Sequence, residues 1–152
     1  MTPRAIHVLE SVDVIAAEDT RNTLKLLNYF GIRTRLIAHH QHNEEQSANG
    51  LLELLRQGKN VAIVSDAGYP LISDPGSVVA KKVMEEGFNV VPISGSNAML
   101  NALVASGMNT RHFSVLWFFK STGKERIREL HELKYYPFTI VFYEAPHRIE
   151  RC

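Results

Sequence analysis

The chain has 152 residues, of which 45% are hydrophobic and 22% are charged, and its formal net charge is +1. This composition is typical of a globular protein, and the length suits one domain, or one domain and part of a second. The small net charge gives no indication of a nucleic-acid partner, and no apolar stretch approaches the ~20 residues that cross a bilayer. Cys152 is the only cysteine, which excludes a disulfide framework within one copy and is typical of the reducing cytoplasm.

Predicted helices and strands alternate through the first 107 residues. We expect helices over residues 3–11, 20–30, 43–58, 75–86 and 97–106, and strands over residues 12–17, 35–38, 60–65 and 88–93. This alternation favours βαβ units and a mostly parallel sheet, which is an α/β fold. Because the crossovers of such units are right-handed, the carboxyl ends of the strands should meet at one edge of the sheet.

Amphipathic spacing predicts the inward faces of two helices. In the helix over residues 20–30, the inward positions are Leu24, Leu27 and Phe30. In a later helix over residues 124–134, they are Ile127, Leu130 and Leu133.

The sequence pattern changes after residue 107, where a polar loop precedes an aromatic stretch at residues 113–119 and a predicted strand at residues 138–142. We therefore predict an N-terminal α/β domain over residues 1–110. Residues 111–152 are predicted to be the truncated start of a second α/β domain, since they are too few for an independent core.

The predicted strand at residues 60–65 runs into a polar loop, whose sequence over residues 65–76 is Ser-Asp-Ala-Gly-Tyr-Pro-Leu-Ile-Ser-Asp-Pro-Gly. In α/β proteins, ligands bind outside the carboxyl ends of parallel strands, where this loop is expected. A plain strand-to-helix connection explains Asp74 as a helix N-cap followed by Pro75. It does not explain the length of the loop or its Asp-Ala-Gly start, which we interpret as a ligand-binding feature.

Three further polar clusters follow predicted strands. They are Glu-Asp-Thr-Arg at residues 18–21, His-His-Gln-His-Asn-Glu-Glu at residues 39–45 and Ser-Gly-Ser-Asn at residues 94–97. The acidic pair at residues 18 and 19 suits a general base or a helix cap. The Ser-Gly-Ser triplet suits an anion site at a helix N-terminus or a plain cap. His40 and His42 lack a third ligand at usable spacing, so no metal site is predicted.

Basic residues gather late in the chain: Lys120, Lys124, Arg126, Arg128, Lys134, Arg148 and Arg151. Such a run suits either a solvated helix face or a surface that contacts nucleic-acid phosphates. The sequence contains no nucleophile elbow, no Walker loop and no Gly-x-Gly-x-x-Gly motif after a strand, which disfavours phosphoryl transfer and a standard dinucleotide site.

Four segments together resemble the ribosomal RNA small subunit methyltransferase I family of the tetrapyrrole methylase superfamily. They are Val-Ile-Ala-Ala-Glu-Asp-Thr-Arg at residues 14–21, His-Asn-Glu-Glu at residues 42–45, the loop at residues 65–76, and Phe-Tyr-Glu-Ala-Pro-His-Arg at residues 142–148. The first, second and fourth segments distinguish this family from the porphyrin and corrin methylases. Members of the superfamily bind S-adenosylmethionine between two α/β domains, so the resemblance implies this fold and this cofactor.

The resemblance also implies an activity, methylation of a cytidine 2′-oxygen in small-subunit ribosomal RNA. The cofactor-binding residues that it implies are Asp66, Ala67, Gly68, Tyr69, Ile72, Ser73, Ser94 and Tyr143. The catalytic or substrate-side residues that it implies are Glu18, Asp19, Arg21, His42, Asn43 and Glu45. The expected partners are small-subunit ribosomal RNA in the ribosomal subunit and a second copy in a homodimer, in the bacterial cytoplasm and without a membrane.

In the resembling family, a strand precedes the segment with which this chain begins, Met-Thr-Pro-Arg-Ala at residues 1–5. We therefore expect an N-terminal domain that lacks its first strand, and a 152-residue chain that is inactive alone. Two alternatives remain. One is a porphyrin or corrin C-methyltransferase with the same cofactor, and the other is a fragment that only binds a ligand weakly or self-associates.

Overall fold

The computed structural model describes residues 1–39, 44–66, 68–71, 77–116, 119 and 123–151. The chain packs as two units, Met1–Ser96 and Asn97–Cys152. The first unit contains helices α1 (Pro3–Ser11), α2 (Thr20–Phe30), α3 (Glu44–Arg56) and α4 (Ser77–Glu85), and strands β1 (Val14–Ala17), β2 (Arg35–Ala38) and β3 (Val61–Val64). The second contains α5 (Ala98–Ala105), β4 (Phe113–Leu116), α6 (Gly123–Leu133), β5 (Thr139–Phe142) and a 3₁₀ helix (Pro146–Arg151).

Strand β1 is the centre of a three-stranded parallel sheet with the order β2-β1-β3. Val14 pairs with Arg35 on one side and with Val61 on the other. All four residues of β1 are buried, as expected for a parallel strand that has a neighbour on each side and helices over both faces. The predicted α/β class with a parallel sheet is confirmed.

Two clusters of apolar side chains form the core of the first unit, one on each face of the sheet. They receive alternate residues of β1, because successive side chains of a strand point to opposite faces. The cluster around Ile15 contains Leu9, Leu27 and Ile32. The cluster around Ala16 contains Ala48, Leu51, Leu52, Val79 and Val83. Helices α1 and α2 therefore cover one face, and α3 and α4 cover the other.

Residues 88–93 form no strand, so the prediction of a strand there is wrong. The backbone N–H of Phe88 donates to the carbonyl of Val83 at 3.0 Å and closes the end of α4. Val90 and Val91 then run through an irregular segment with 43% and 62% of their surface exposed. A strand needs a neighbour to complete its hydrogen bonds, and within the described residues nothing pairs with the outer edge of β3. The other predicted helices and strands are present, and their ends within the described ranges are shifted by at most two residues. The predicted helix starts at residues 43 and 75, and the predicted Asp74 cap, lie outside the described residues.

Helix α2 buries a different stripe from the one predicted. Leu27 is buried and Phe30 is half-buried, as expected, but Leu24 is 50% exposed. Thr23 takes the buried position one turn before Leu27. Both Thr23 and Leu24 lie about one turn from Leu27, so helical spacing alone does not decide which of them enters the core.

Helix α6 also departs from its predicted face. Ile127 is 68% exposed, whereas Arg126 is only 7% exposed. Leu130 and Leu133 are half-buried, on the same side as Arg126. The inward position of Arg126 follows from its ion pair with Glu144, at 3.1 Å.

The second unit is built around a βαβ arrangement. Strands β4 and β5 are parallel, with Phe113 opposite Thr139, and α6 connects them. The Thr139 hydroxyl donates to the carbonyl of Asn109 at 2.7 Å, which ties the start of β5 to the loop before β4. Helix α5 belongs to this unit, with Leu103 buried. The predicted domain boundary after residue 110 stays a prediction.

The two leucines of α2 provide a direct test of the observed core. Leu27→Ala is expected to lower the free energy of unfolding by about 2–5 kcal/mol, because it leaves a cavity beside Ile15. Leu24→Ala is the matched control and should change that free energy by less than about 1 kcal/mol, since the side chain is largely in solvent. Urea unfolding followed by circular dichroism measures both. Equal losses from the two variants would contradict the burial described above.

Candidate functional site

Polar side chains from the carboxyl ends of β1 and β3 meet in the first unit. Glu18 follows β1, and its Oε2 accepts a hydrogen bond at 3.2 Å from the backbone N–H of Asp66, which follows β3. Asn22, on the first turn of α2, donates from Nδ2 to Asp66 Oδ2 at 2.9 Å. The structure therefore brings Glu18 and Asp66 together, as the strand-end argument predicted. Asn22 was not among the site residues predicted from the sequence, although its place three residues after the helix cap was a usable signal.

Asp19 is the N-cap of α2, and its Oδ1 accepts the backbone N–H of Arg21 at 2.8 Å. The guanidinium of Arg21 also donates to both carboxylate oxygens, at 3.1 and 2.7 Å. The side-chain hydrogen bonds from Arg21, followed by its backbone N–H, lower the pKa of Asp19 from 3.8 to about 2. The capping role left open by the sequence is thus present. A carboxyl with so low a pKa is a weak proton acceptor at neutral pH.

The loop after β3 is held by a tyrosine and shaped by two left-handed residues. Tyr69 Oη accepts the backbone N–H of Gly95 at 3.0 Å. Gly68 has a φ of 79°, which glycine adopts without steric cost, whereas Leu71 has a φ of 77°, which costs a residue with a Cβ about 1–2 kcal/mol. The conformation of Leu71 was not predicted from the sequence. The predicted cofactor residues that lie outside the described residues are Ala67, Ile72 and Ser73.

The segment around Ser94 makes its contacts through the backbone. The Ser94 carbonyl accepts the Thr2 hydroxyl at 3.4 Å, and the N–H of Gly95 is already donated to Tyr69. The cap of α5 is Asn97, whose Oδ1 accepts the backbone N–H of Leu100 at 3.0 Å. The N–H of Gly95 is therefore engaged within the protein, which weakens the anion-site interpretation of this segment.

The cluster after β2 begins with a buried histidine. His39 is 1% exposed, and its Nδ1 lies 2.7 Å from the hydroxyl of Ser47 on α3. Its backbone N–H donates to the carbonyl of Ala17 at 2.7 Å, so His39 links the ends of β1 and β2 to α3. Glu45 is exposed on the first turn of α3, with Oε1 3.5 Å from Lys82 Nζ on α4. The remaining predicted residues of this cluster, His42 and Asn43, lie outside the described residues.

In the second unit, Tyr143 is half-buried and directly follows β5. Among the basic residues on and after α6, those that are exposed are Lys124, Arg128 and Lys134. Arg126 is buried and paired with Glu144. It therefore belongs neither to a solvated helix face nor to a surface that contacts phosphates. Lys120 lies outside the described residues.

Across the described ranges, no group of three or more His, Cys, Asp or Glu side chains is placed to hold a metal ion. An open groove of about 450 Å³ lies between β4 and α6, but it contains no predicted site residue; its lining includes Val115, Phe119 and Leu133. Within the described ranges, no helix is both long and apolar enough to cross a membrane.

Comparison with known proteins places the chain in a family. The family model described as "Tetrapyrrole (Corrin/Porphyrin) Methylases" matches residues 1–152. The chain belongs to the tetrapyrrole methylase family. The resemblance that the sequence motifs indicated is thereby confirmed.

Curated members of this family with similar sequences share a name. The chain is 50% identical over 150 residues to "Ribosomal RNA small subunit methyltransferase I" of Bacillus subtilis (strain 168), an alignment that covers 99% of this chain and 51% of that protein. It is 46% identical to the protein of the same name from Escherichia coli O157:H7, over 98% of this chain and 52% of that protein. The chain thus spans about half the length of these tetrapyrrole methylase relatives.

A solved structure supports the tetrapyrrole methylase fold. The crystal structure of a diphthine synthase superimposes with a TM-score of 0.64 and covers 96% of this chain and 60% of its own. The two sequences are only 14% identical, so this likeness concerns the fold alone.

The link between Asp19 and Arg21 predicts a measurable titration. In Arg21→Gln, the pKa of Asp19 should rise from about 2 towards 3.8, because the guanidinium hydrogen bonds are lost while the backbone N–H remains. Since folding lowers this pKa, the contribution of the ion pair to stability is present above the unfolded pKa and disappears as the pH falls through about 2. Carbon-detected NMR titration of the Asp19 carboxyl measures the shift.

Lys25→Gln is the matched control, since it removes one cation from the same helix without touching Asp19. It should leave the titration of Asp19 unchanged. An unchanged pKa in Arg21→Gln would mean that another group keeps Asp19 ionised.

Proposed function

We propose that the complete protein transfers a methyl group from S-adenosylmethionine to the 2′-oxygen of a cytidine in small-subunit ribosomal RNA. The observation that carries this proposal is the 50% identity, along 99% of the chain, to a protein named "Ribosomal RNA small subunit methyltransferase I". The 2′-oxygen and the cytidine are the finer part of the proposal, and they rest on the motif resemblance at residues 14–21, 42–45 and 142–148.

The strand-end cluster suits the proposed cofactor. S-adenosylmethionine carries a sulfonium cation, an ammonium group and ribose hydroxyls, and all of these favour carboxylate neighbours. Asp66 and Glu18 provide two carboxylates, one at the end of each of two adjacent strands. The proposed cofactor contacts are Asp66, Ala67, Gly68, Tyr69, Ile72, Ser73, Ser94 and Tyr143.

The proposed chemistry needs positioning and one proton acceptor. When bound, the cofactor supplies an electrophilic methyl group. The residues of the chain would hold the ribose oxygen in line with the methyl–sulfur bond and accept the proton of the ribose hydroxyl. As the oxygen–carbon bond forms, the sulfur–carbon bond would break and the sulfur would leave as a neutral thioether. With a pKa of about 2, Asp19 is poorly matched to proton acceptance. We assign that role to Glu18, which the Asp66 N–H holds beside the cofactor loop. Other proposed substrate-side residues are Asp19, Arg21, His42, Asn43 and Glu45.

The proposal includes the cytoplasm, where ribosomal subunits are found, and a homodimer. Two surfaces suit self-association. One is the outer edge of β3, which has no strand partner within the described residues. The other is the exposed apolar side of α2, where Tyr29 is 82% exposed and Leu24 is 50% exposed.

A methyl-transfer assay on the complete protein tests the activity. Labelled methyl groups from S-adenosylmethionine should enter the RNA of unmodified small ribosomal subunits, and the modified nucleotide should resist alkaline cleavage because its 2′-hydroxyl is blocked. Glu18→Gln should lower kcat by about 10²–10⁴-fold, since it removes a proton acceptor. The matched control is Glu10→Gln, an exposed carboxylate on α1, which should behave as the wild type.

Several results would contradict the proposal. Methylation of a porphyrinogen in place of ribosomal subunits would favour a C-methyltransferase of the same family. A labelled nucleotide that alkali still cleaves would place the methyl group on a base. Calorimetry without heat on addition of S-adenosylmethionine would favour a protein that only self-associates, and light scattering on the same sample gives the mass that distinguishes a dimer from a monomer.

The exposed cations of the second unit provide a separate test of the RNA partner. Replacing Lys124, Arg128 and Lys134 with Ala should weaken RNA binding and flatten its salt dependence, by about 0.7–0.9 in the slope of log affinity against log salt for each lost phosphate contact. Cofactor affinity should stay constant. The control replaces three cations before or at the start of β2 and β3, namely Arg33, Arg35 and Lys59. Equal salt slopes in both triple variants and the wild type would show that α6 presents only a solvated face.

A further inference from the structure

Glu144 is a buried carboxylate at the end of β5. Its side chain is only 1% exposed, and it directly follows Tyr143. One carboxylate oxygen, Oε1, accepts the backbone N–H of Ala145 at 2.9 Å. Burial of an ionised carboxylate is costly unless cations and hydrogen bonds compensate it, so the groups around Glu144 determine whether this segment keeps its conformation.

Two arginines from different elements supply the compensation. Arg126, on α6, donates from Nη1 to Glu144 Oε2 at 3.1 Å, and its Nη2 lies 3.1 Å from the same oxygen. Arg148, in the 3₁₀ helix, donates from Nη2 to Glu144 Oε2 at 3.1 Å, and its Nε lies 3.0 Å from Oε1. The side chain of Arg126 is 9% exposed and that of Arg148 is 23% exposed, so both pairs are shielded from solvent.

The same cluster reaches the segment that follows β4. Arg148 Nη2 donates to the carbonyl of Phe119 at 3.1 Å. The Phe119 ring lies 4.8 Å from the ring of Phe142, the last residue of β5, and 5.9 Å from the guanidinium carbon of Arg126. The carboxyl ends of two parallel strands are therefore joined through one buried group of charges and rings.

Among the charged groups of this cluster, Arg126 is the one that comes from a distant element. Glu144 and Arg148 lie within one short segment, whereas α6 contributes Arg126 from 18 residues earlier in the chain. Its neighbour Arg128 points to solvent, with 73% of its side chain exposed and only a 3.9 Å contact to Glu132. Two arginines on one helix thus have opposite environments. Arg126 is a buried, anchoring cation, and Arg128 is a surface cation.

We propose that Arg126 is a positioning residue: by holding Glu144, it sets the backbone conformation at Tyr143 and so determines cofactor affinity. The link to the cofactor rests on the proposed function, in which Tyr143 contacts S-adenosylmethionine. The link to the segment rests only on the contacts of Glu144. This role differs from an RNA contact, which the basic character of the helix suggested.

The test compares Arg126→Met with the matched control Arg128→Met in the complete protein. Methionine replaces the aliphatic stem of the arginine side chain and removes the guanidinium group with its charge. Hydrogen exchange followed by mass spectrometry should show faster exchange of the amides at residues 143–148 in Arg126→Met only. Calorimetry should show S-adenosylmethionine affinity lower by about tenfold to hundredfold in that variant, as expected when a binding group is misplaced. The salt slope of RNA binding should stay unchanged in Arg126→Met, whereas loss of a phosphate contact in Arg128→Met should flatten it by about 0.7–0.9.

Arg126→Lys provides a second variant that keeps the charge if the methionine variant does not fold. Lysine lacks the planar fork that fits a carboxylate. The amide exchange and the S-adenosylmethionine affinity of Arg126→Lys should therefore fall between those of the wild type and the methionine variant. Unchanged exchange in both variants overturns the anchoring role. Faster exchange with unchanged cofactor affinity overturns the positioning role, and a flatter salt slope in Arg126→Met makes it an RNA contact instead. If the wild type does not bind S-adenosylmethionine but Arg126→Met still exchanges faster at residues 143–148, the proposed function is refuted and the anchoring role stands.

Discussion

The complete burial of β1 is the constraint on which the first unit depends. Each residue of this strand is 1% exposed or less, so its backbone must be paired on both sides and its side chains must pack against helices on both faces. The resulting register sets Ala17 beside Val64. Glu18 and Asp66 follow these two residues closely in the chain, and for that reason they meet at the same edge. The polar cluster is therefore a consequence of how the apolar strand is buried.

At that edge, hydrogen bonds hold the carboxylates in place. Asp66 is bonded to Glu18 through its backbone and to Asn22 through its side chain. The Asp19–Arg21 pair is largely exposed, with 85% of the arginine side chain in solvent, so it contributes little to stability. These bonds connect β1, α2 and the loop after β3, and they orient two carboxylates without burying them. Such an arrangement suits a site that binds a cationic ligand from solvent.

The second unit stabilises its strand ends in a different way. Strands β4 and β5 have several exposed apolar side chains, namely Phe113, Val115 and Phe142. In place of an extensive apolar core, a carboxylate and two guanidinium groups are buried around Glu144. An ion cluster of this kind adds little net stability to the protein. Removing one partner lowers the stability strongly, because the remaining charge is then buried without compensation. It is therefore suited to fixing one conformation of the segment that carries Tyr143.

The sequence by itself determined the alternation of helices and strands, their approximate ends, and the edge at which Glu18 and Asp66 meet. These features follow from local capping, apolar runs and the handedness of βαβ units, all of which depend on residues that are close together in the sequence. Only the tertiary structure decided that residues 88–93 form no strand. A strand needs a hydrogen-bonded neighbour, and the local sequence does not specify that neighbour. It also decided that Arg126 is buried and Ile127 exposed, because the partner of Arg126 is a carboxylate 18 residues away, beyond the reach of helical periodicity.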